Sequence, residues 1–411
     1  MTNKLVIIGN GFDLHLHVKS SFQDFLKSDV LKDTVSLSKF EDIESYYLDF
    51  IRLSNLSPNK QESYKEKIEL YISKVLFPEY FEIGINDRIL PNQKNNFWSY
   101  YFTYLSKCPD KNNGFISKKI RLRNWKDVEY QIQYFLEKTE STFNYINKMK
   151  NRDKITVSDA GDRLTAELFN VLKSDDTIKF SDLIHFNALF ISLRTGWDSS
   201  NQDIYKFLFE ELIEFENIFK NYLQKEVDAK KDYNNIANNL LMEIAETDNF
   251  NLINFNYTTF YDLHDKNKIN IHSTLSENSH PIFGISPVGI NGENNYDKPF
   301  YAFTKTYRIM SITDVNSDKN IFPDDIEEII FYGHSLSTSD YMYFETILRK
   351  YLDKKNKKVK FNFKYSKYSN EAEQEQVKSI FNLFNIFYST NRTNNDFQKL
   401  LLENMIKIQE L

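Results

Sequence analysis

The chain has 411 residues, of which 52 are Lys or Arg and 58 are Asp or Glu, so its formal net charge is -6. A weakly acidic chain without a basic tail lacks the clustered cations of a non-specific nucleic-acid-coating protein. Hydrophobic residues make up 41% and aromatic residues 16%, which excludes a disordered chain and supplies a packed core. The 10 Gly and 8 Pro are few for this length and favour long helices over an all-β fold.

The cysteine content and the N-terminus predict the compartment. Cys108 is the single cysteine, which excludes an intrachain disulfide and a multi-cysteine zinc site and favours a reducing compartment. The first apolar run, Leu5 to Ile8, is too short for a signal peptide. No stretch approaches the roughly 20 apolar residues that span a bilayer. We therefore expect a cytoplasmic protein without membrane association.

The first predicted element is a buried strand over residues 4–9, followed by a Gly-Asn-Gly turn and a helix that begins near Asp13 or Ser21. Backbone N–H groups in such a turn can bind a phosphate, and the missing Cβ atoms let a ligand approach. The motif departs from G-x-G-x-x-G because Leu14 stands at the third glycine position. The structural alternative is a tight turn with Asp13 as the helix N-cap.

Residues 36–247 are predicted to be mostly helical, because apolar residues recur there at three- and four-residue spacing. This pattern covers EDIESYYLDFIRLSNL, KNNFWSYYFTYLSK, WKDVEYQIQYFLEKTESTFNYINKMK and DIYKFLFEELIEFENIFKNYLQKEV. In the segment NWKDVE, Asn124 is a natural N-cap, so an ordinary helix start is favoured over a carboxylate metal site at Asp127 and Glu129.

Strand patterns return from residue 248, in NLINFN, KINIH, PIFGI, EEIIFYG and KKVKFNFKYS, with helical patterns between some of them. In the last segment Val359, Phe361 and Phe363 alternate with Lys and Asn, which predicts a half-exposed strand near a sheet edge. The alternation of strands and helices predicts a parallel α/β sheet. We expect one discontinuous α/β domain, residues 1–35 and 248–411, that carries a helical insertion at 36–247.

Polar residues follow several of these strands. Asn254 and Asn256 lie at the end of one strand, and His272 lies at the end of the next, where a neutral imidazole can act as a general base. Ligands of open α/β sheets bind at such carboxyl ends. The block GHSLSTSD at 333–340 supplies glycine and hydroxyl groups for a phosphate or a ribose. Read alone, the Asn pair and His272 are more typical of strand ends and helix caps than of a ligand site. The GHSLSTSD block can serve a ligand and also start a helix, with Ser337 as the N-cap candidate.

No metal site is predicted. His15 and His17 lack an adjacent third ligand. A nuclease-type effector would need clustered carboxylates for Mg²⁺. The candidates for such a cluster are Asp13, Asp127, Glu129 and Asp340.

Several motifs together resemble the AbiH family of bacterial abortive-infection proteins. These are IIGNGFDL followed by SSFQDF, then NWKDVE, INFNYT and FYGHSLSTSD, in this order along the chain. The resemblance implies a role in bacteriophage exclusion, in which infected cells fail to yield phage.

The same motifs resemble the sirtuin-like, Rossmann-type fold that holds NAD. The resemblance implies that Asn256 and His272 are catalytic and act at the nicotinamide ribose. It implies nucleotide contacts at Gly9, Asn10, Gly11, Phe12, Asp13, Gly333, His334, Ser335 and Asp340. Three positions depart from the pattern: Thr258 replaces an Asp, while Ser273 and His17 each replace a Gly.

The resemblance implies hydrolysis of NAD at the nicotinamide–ribose bond on infection, with no tightly bound cofactor. Sirtuin deacylases carry a four-cysteine zinc ribbon, so a chain with Cys108 alone is not expected to deacylate proteins. The alternatives are a non-catalytic nucleotide-binding sensor or assembly protein and a nuclease-type effector. Expected partners are NAD or a related nucleotide, a phage protein as trigger, and a second copy in a homo-oligomer.

Overall fold

The structure is a computed structural model, and it divides the chain into two compact units. The first comprises Met1–Phe25, Phe219–Ile285 and Lys305–Leu411, and the second comprises Leu26–Ile218 and Ser286–Thr304. The residues that the structure describes are 3–32, 96–107, 122, 124–153, 202–260, 268–277, 279–290, 292–312, 320–336, 340–352, 358–367, 372–391 and 396–411. The predicted helix within 41–56 lies outside these residues.

A six-stranded sheet of wholly parallel strands forms the centre of the first unit. Its strands are β1 (Asn3–Ile8), β2 (Phe250–Asn254), β3 (Lys268–Asn270), β4 (Ile326–Tyr332), β5 (Lys360–Tyr365) and β6 (Ile406–Glu410). The spatial order is β3-β2-β1-β4-β5-β6. This is the strand order of doubly wound dinucleotide-binding sheets, in which the order reverses beside β1. The predicted α/β class with a parallel sheet is therefore confirmed.

Helices occupy most of the remaining described chain. They are α1 (Gly11–His15), α2 (Phe22–Lys27), α3 (Asp29–Lys32), α4 (Phe97–Lys107), α5 (Trp125–Asp153), α6 (Gln202–Asp228), α7 (Tyr233–Ala245), α8 (Lys305–Ile312), α9 (Tyr341–Leu352), α10 (Ala372–Asn391) and α11 (Asp396–Leu402). The predicted amphipathic patterns are thus confirmed as helices at 97–107, 125–150 and 203–227. Within the described ranges, no helix is both long and apolar enough to cross a bilayer.

Helices α9 and α10 cover one face of the sheet with a continuous apolar core. Phe331 of β4 stacks on Phe363 of β5 with ring centroids 4.7 Å apart. Phe344 of α9 and Phe384 of α10 are buried against these strands. Burial of whole aromatic side chains is the main stabilising contribution at this face, at about 1.5–3 kcal/mol each.

Long helices pack through aromatic rings in the second unit. The ring centroids of Trp98 in α4 and Phe135 in α5 are 5.6 Å apart, and those of Phe102 and Phe215 in α6 are 5.3 Å apart. The indole N–H of Trp98 donates to Leu208 O at 2.9 Å. The aromatic stripes of the predicted helices are therefore core, as expected.

Two sequence predictions about strands are wrong. Residues 281–285 are buried but form no strand of the sheet. β5 lies next to the edge strand, as expected, but it is not half-exposed, because Asn362 is 3% and Lys364 0% exposed. The Lys364 ammonium donates to Ile244 O at 2.9 Å and also to Glu246, so the end of α7 covers the face that alternation predicted to be solvated.

The start of α1 also differs from the prediction. The helix begins at Gly11 with Asn10 as its N-cap residue, so Asp13 lies inside the first turn and is not the cap. Ser21 does cap α2, since its hydroxyl accepts from the Asp24 N–H at 3.1 Å. At the start of α5, Asn124 accepts from the Asp127 N–H at 3.1 Å, which confirms the predicted helix start in NWKDVE.

Candidate functional site

Residues that follow four neighbouring strands meet at the carboxyl edge of the sheet. Gly9 follows β1, Asn256 follows β2, His272 follows β3 and His334 follows β4. All four strands are parallel and adjacent, so these residues share one edge. In doubly wound sheets this edge is where ligands bind. The sequence motifs at 9–13, 254–258, 272 and 333–340 are therefore brought together, although they are far apart along the chain.

Gly9 makes room for the imidazole of His334. A Cβ at position 9 would lie 2.7 Å from His334 Cδ2 and 2.8 Å from its Cα. With no side chain at Gly9, the His334 ring reaches Phe255, which follows β2, at a centroid distance of 4.5 Å. The glycine after β1 thus allows groups from β4 and β2 to meet above the end of β1.

Gly11 and Gly333 hold the two loops against each other. The N–H of Gly9 donates to Tyr332 O at 3.0 Å, that of Gly11 to Gly333 O at 2.7 Å, and that of Phe12 to Gly9 O at 2.8 Å. A Cβ at Gly11 would lie 2.6 Å from the Gly333 Cα, and Gly333 itself has a left-handed φ of +65. These glycines serve loop packing, and three N–H groups of the predicted phosphate turn are already engaged within the protein.

Asp340 is the centre of a buried polar cluster. Lys305 Nζ lies 2.7 Å from Asp340 Oδ1, His272 Nε2 lies 3.4 Å from Oδ1, and His334 Nε2 lies 3.7 Å from Oδ2. All four residues are buried. Burial alone would raise the pKa of Asp340, but Lys305 and the two imidazoles hold it below its usual range. The carboxylate is therefore ionised at neutral pH.

His334 is held as a neutral ring. Its Nδ1 accepts a hydrogen bond from the Leu336 N–H at 2.9 Å, which places its proton on Nε2, toward Asp340. Burial lowers the pKa of His334 to about 4; Asp340 opposes this shift, and His272 and Lys305 add to it. The bond and the pKa agree that this imidazole is uncharged at neutral pH.

His272 lies beside Asp340 and is surrounded by aromatic side chains. Its ring centroid is 5.6 Å from that of Phe255, 6.2 Å from Tyr257 and 6.4 Å from Tyr343. The next residue, Ser273, has a φ of 74, in the left-handed region that glycine favours. His272 thus lies two residues past the end of β3, in a turn with a glycine-like backbone.

Asn256 lies in a loop that Asn254 shapes. Asn254 Oδ1 accepts from the Asn256 N–H at 2.8 Å, and its Nδ2 donates to Thr258 O at 2.9 Å. Asn256 is 3% exposed, and its Nδ2 has no hydrogen-bond acceptor among the residues that the structure describes. A buried amide donor without a protein acceptor is suited to a water or a ligand oxygen. Asn254 is therefore structural, and Asn256 is the residue of the pair with capacity for a ligand.

Asp13 forms a second buried polar group in the same unit. Its carboxylate accepts from the Tyr233 hydroxyl at 2.9 Å and from the Thr258 hydroxyl at 2.9 Å. Burial raises the pKa of Asp13 to about 6, and the hydrogen bonds from Thr258 and Tyr233 oppose the rise. The Thr that departs from the sirtuin pattern thus binds the Asp of the GNGFD turn.

The remaining predicted residues have different surroundings. Phe12 is 0% exposed and stacks on Phe260 at 5.3 Å, so it belongs to the core. Ser335 is exposed. Residues 337–339, including the predicted N-cap Ser337, lie outside the described residues.

The carboxylates named for a nuclease site have separate roles. Asp13 accepts from two hydroxyls, the Asp127 carboxylate accepts from the Asn124 N–H at 3.3 Å at the start of α5, and Asp340 pairs with Lys305. Among the described residues no group of three or more His, Cys, Asp or Glu could hold a metal ion. At Asp340, the ammonium of Lys305 takes the position that a cation would need.

Lys305 is the residue of the cluster that sequence reasoning missed. It begins α8 and has no motif around it that separates it from the 52 Lys and Arg of the chain. Its burial could be recognised only once the fold had placed α8 against residues 284–285 and Asp340.

A family model described as "Bacteriophage abortive infection AbiH" matches residues 5–365. The match extends from β1 to the last residue of β5. It includes the four buried residues at the carboxyl edge of the sheet, called here the carboxyl-edge cluster: His272, Lys305, His334 and Asp340. No curated protein and no solved structure matches the chain.

Proposed function

Because the chain belongs to the AbiH family of bacteriophage abortive infection, its role is in phage defence, and we propose that it hydrolyses NAD at the nicotinamide–ribose bond on infection. We also infer a core of sirtuin-like type. The parallel sheet with its β3-β2-β1-β4-β5-β6 order supports this, as do Asn256 and His272 at the carboxyl edge. Ser273 replaces a glycine of that pattern but keeps the left-handed backbone a glycine would adopt.

The observation that carries the proposal is the buried Nδ2 of Asn256, which has no acceptor among the described residues. Phe255 and Tyr257, on either side of Asn256, both contact the His272 ring. A buried hydrogen-bond donor and an imidazole that follow neighbouring strands at one edge of the sheet are the two groups that a ribose hydroxyl or an attacking water requires. Asn256 would orient that oxygen, and His272 would receive its proton.

The reaction needs little acid catalysis. Water forms a bond to the ribose C1′, the bond from C1′ to the nicotinamide nitrogen breaks, and nicotinamide leaves as a neutral molecule with the electron pair. The products are nicotinamide, ADP-ribose and a proton, which a neutral His272 can accept. Since Nε2 faces Asp340 at 3.4 Å, the other ring nitrogen is the one that would face the substrate. The Asp340 carboxylate, 3.4 Å from Nε2, would stabilise positive charge on the ring.

The turn at residues 9–12 contributes mainly by its shape. Its three engaged N–H groups do not offer themselves to a diphosphate, so the sequence-predicted phosphate contacts would fall to Asn10 and Ser335 instead. Gly9 serves the proposed site indirectly, because its missing Cβ lets His334 reach the cluster.

A second candidate function is a non-catalytic nucleotide-binding sensor. The burial of the cluster favours it, since His272, His334 and Asp340 are each no more than 8% exposed. If the protein is a hydrolase, this buried arrangement is a resting form, and infection must expose the residues to substrate. Such an enzyme would leave the NAD of uninfected cells intact. The two functions differ in whether NAD is consumed.

The test is the NAD level of phage-challenged cells that express the wild type, Asn256→Ala or His272→Ala. Asn239→Ala, on the exposed side of α7, is the matched control because it removes the same amide from a solvated position. We expect NAD to fall in the wild type and the control, and to hold in both site variants. Equal amounts of folded protein in all four strains are verified by thermal unfolding of the purified proteins.

Other outcomes separate the alternatives. Steady NAD with full phage protection by the wild type contradicts the hydrolase. If both site variants then lose protection, a nucleotide-gated sensor is the remaining function of the pocket. If both keep protection, the carboxyl-edge cluster has no part in defence.

A further inference from the structure

We propose that Lys305 is a positioning residue that supplies the positive charge for Asp340, so that neither imidazole beside the carboxylate has to take up a proton to balance it. The functional part of this inference rests on the proposed hydrolysis. The charge assignment itself rests on the geometry of the cluster and can be measured without any activity.

The Lys305 side chain is built into the fold. The residue is 3% exposed although it carries a charge, and its stem passes directly over Gly284. A Cβ at Gly284 would lie 2.5 Å from Lys305 Cγ and 2.9 Å from its Cα. The Lys305 N–H also donates to Ile285 O at 3.0 Å. Backbone and stem are thus fixed, so that the ammonium is directed at Asp340.

Among the described residues, three cationic or ionisable groups lie close enough to Asp340 to balance its charge. A buried carboxylate requires a cation or several hydrogen bonds, since an unpaired buried charge costs several kcal/mol. Lys305 Nζ is the nearest at 2.7 Å, against 3.4 Å for His272 Nε2 and 3.7 Å for His334 Nε2. With the ammonium in contact, neither imidazole needs to take up a proton to balance the site.

The hydrogen bond at His334 fits this assignment. Its Nδ1 accepts from the Leu336 N–H at 2.9 Å, and a proton on Nδ1 would remove that bond. Among the described residues, the rings that contact the two imidazoles include those of Phe255, Phe344, Tyr257 and Tyr343, and none of these four side chains carries a charge at neutral pH. Lys305 and Asp340 are therefore two of the charges that act on the His334 ring, in opposite directions.

The consequence for the proposed reaction follows from acid–base chemistry. A general base must be unprotonated to act, and an imidazolium paired with Asp340 would be inactive. Without Lys305, the carboxylate would draw a proton onto an imidazole, and hydrolysis would be confined to higher pH. Lys305 does not touch the reacting atoms in this account; it acts through Asp340.

The test is proton titration of the His334 ring by NMR of the full chain labelled with ¹³C at histidine. There are 7 His, and the signal is assigned by its absence in His334→Gln. In the wild type we expect a neutral His334 down to about pH 4. Lys305→Met should raise the titration midpoint by about one unit or more, and Lys305→Arg should leave it low. Asp340→Asn removes the negative charge that favours a protonated His334, so it should not raise the titration midpoint of that ring.

An unchanged His334 midpoint in a folded Lys305→Met protein overturns the inference. If Lys305→Met does not fold, Lys305→Met/Asp340→Asn removes both charges together. If Lys305 acts by balancing the charge of Asp340, the double variant should fold and its His334 should be neutral. A double variant that also fails to fold contradicts the inference. These readouts hold whether or not NAD is cleaved. If it is cleaved, the acidic limb of the pH–rate profile should move to higher pH in Lys305→Met alone.

Discussion

Replacement of Asp13 by Asn tests the buried carboxylate of the GNGFD turn. Asp13 is 1% exposed and is bound by the hydroxyls of Tyr233 and Thr258, with no cation among its hydrogen-bond partners in the described residues. The amide of Asn has almost the same size, and the two hydroxyls can accept as well as donate hydrogen bonds. Asp13→Asn therefore removes the ionisation of this group with little change in packing.

The expected effect depends on pH, and its sign follows from the direction of the pKa shift. Burial raises the pKa of Asp13 from 3.8 to about 6 in the folded protein. Between these values the folded state holds a proton that the unfolded state has lost, so its stability falls as pH rises through this window. A shift of roughly two units corresponds to about 3 kcal/mol of unfolding free energy.

The assay is urea unfolding followed by far-UV circular dichroism between pH 4 and pH 7.5. The variant should gain on the wild type by about 3 kcal/mol across this range, whatever its absolute stability at either end. Asp248→Asn, at an exposed position, is the control and should show no comparable gain. Stability curves of wild type and Asp13→Asn that run parallel in pH would refute a buried, perturbed Asp13.

Two further substitutions test how the loops at the carboxyl edge are held. Gly9→Ala places a methyl group 2.7 Å from His334 Cδ2, so we expect a loss of about 1–3 kcal/mol, seen as a lower melting temperature, together with loss of phage protection. A Gly9→Ala protein of wild-type stability would contradict the close contact. Asn254→Ala leaves the Asn256 N–H and Thr258 O without their partners and should cost about 1–3 kcal/mol, with faster hydrogen exchange of the Asn256 amide. Unchanged exchange at that amide would show that Asn254 does not hold the loop.

Local patterns predicted most strands and helices because burial and periodicity agree there. The runs at 250–254, 326–332 and 360–365 are strands, as their β-branched and aromatic residues indicate. The segment 281–285 was misassigned as a strand. An apolar run indicates burial, and a buried segment that pairs with no strand has the same sequence pattern as a buried strand. β6 was missed although Ile406 and Ile408 alternate with Lys407, the signal of an edge strand.

Lys364 illustrates what alternation cannot show. Its charge suggested a solvated face, but α7 ends over that position and supplies Ile244 O and Glu246 as partners. Such compensation depends on a contact 120 residues away in sequence, which no local pattern contains.

The candidate site was predictable residue by residue but not as a set. The motifs pointed to His272, His334 and Asp340 separately, and the parallel sheet explains why all three meet at one edge. Lys305 had no sequence signal because its burial depends on Gly284 and Asp340. The Gly9 and Gly11 positions were noted for a ligand, whereas the space they leave is filled by His334 and Gly333.

Departures from the sirtuin pattern are informative through the backbone. Ser273 and His17 replace glycines, and their φ values are 74 and 58, both in the left-handed region. A non-glycine residue there is strained by about 1–2 kcal/mol. Both residues thus hold backbone conformations that a glycine would adopt without strain.

The most direct test of the proposed hydrolysis is the identity of the products in phage-challenged cells. Extracts of cells with the wild type and with Asn256→Ala should be assayed by mass spectrometry for nicotinamide and ADP-ribose. The account predicts that both appear as NAD falls in the wild type, and that neither accumulates in Asn256→Ala. Nicotinamide mononucleotide and AMP as products, or NAD that stays constant while the wild type blocks phage, would contradict cleavage of the nicotinamide–ribose bond by this protein.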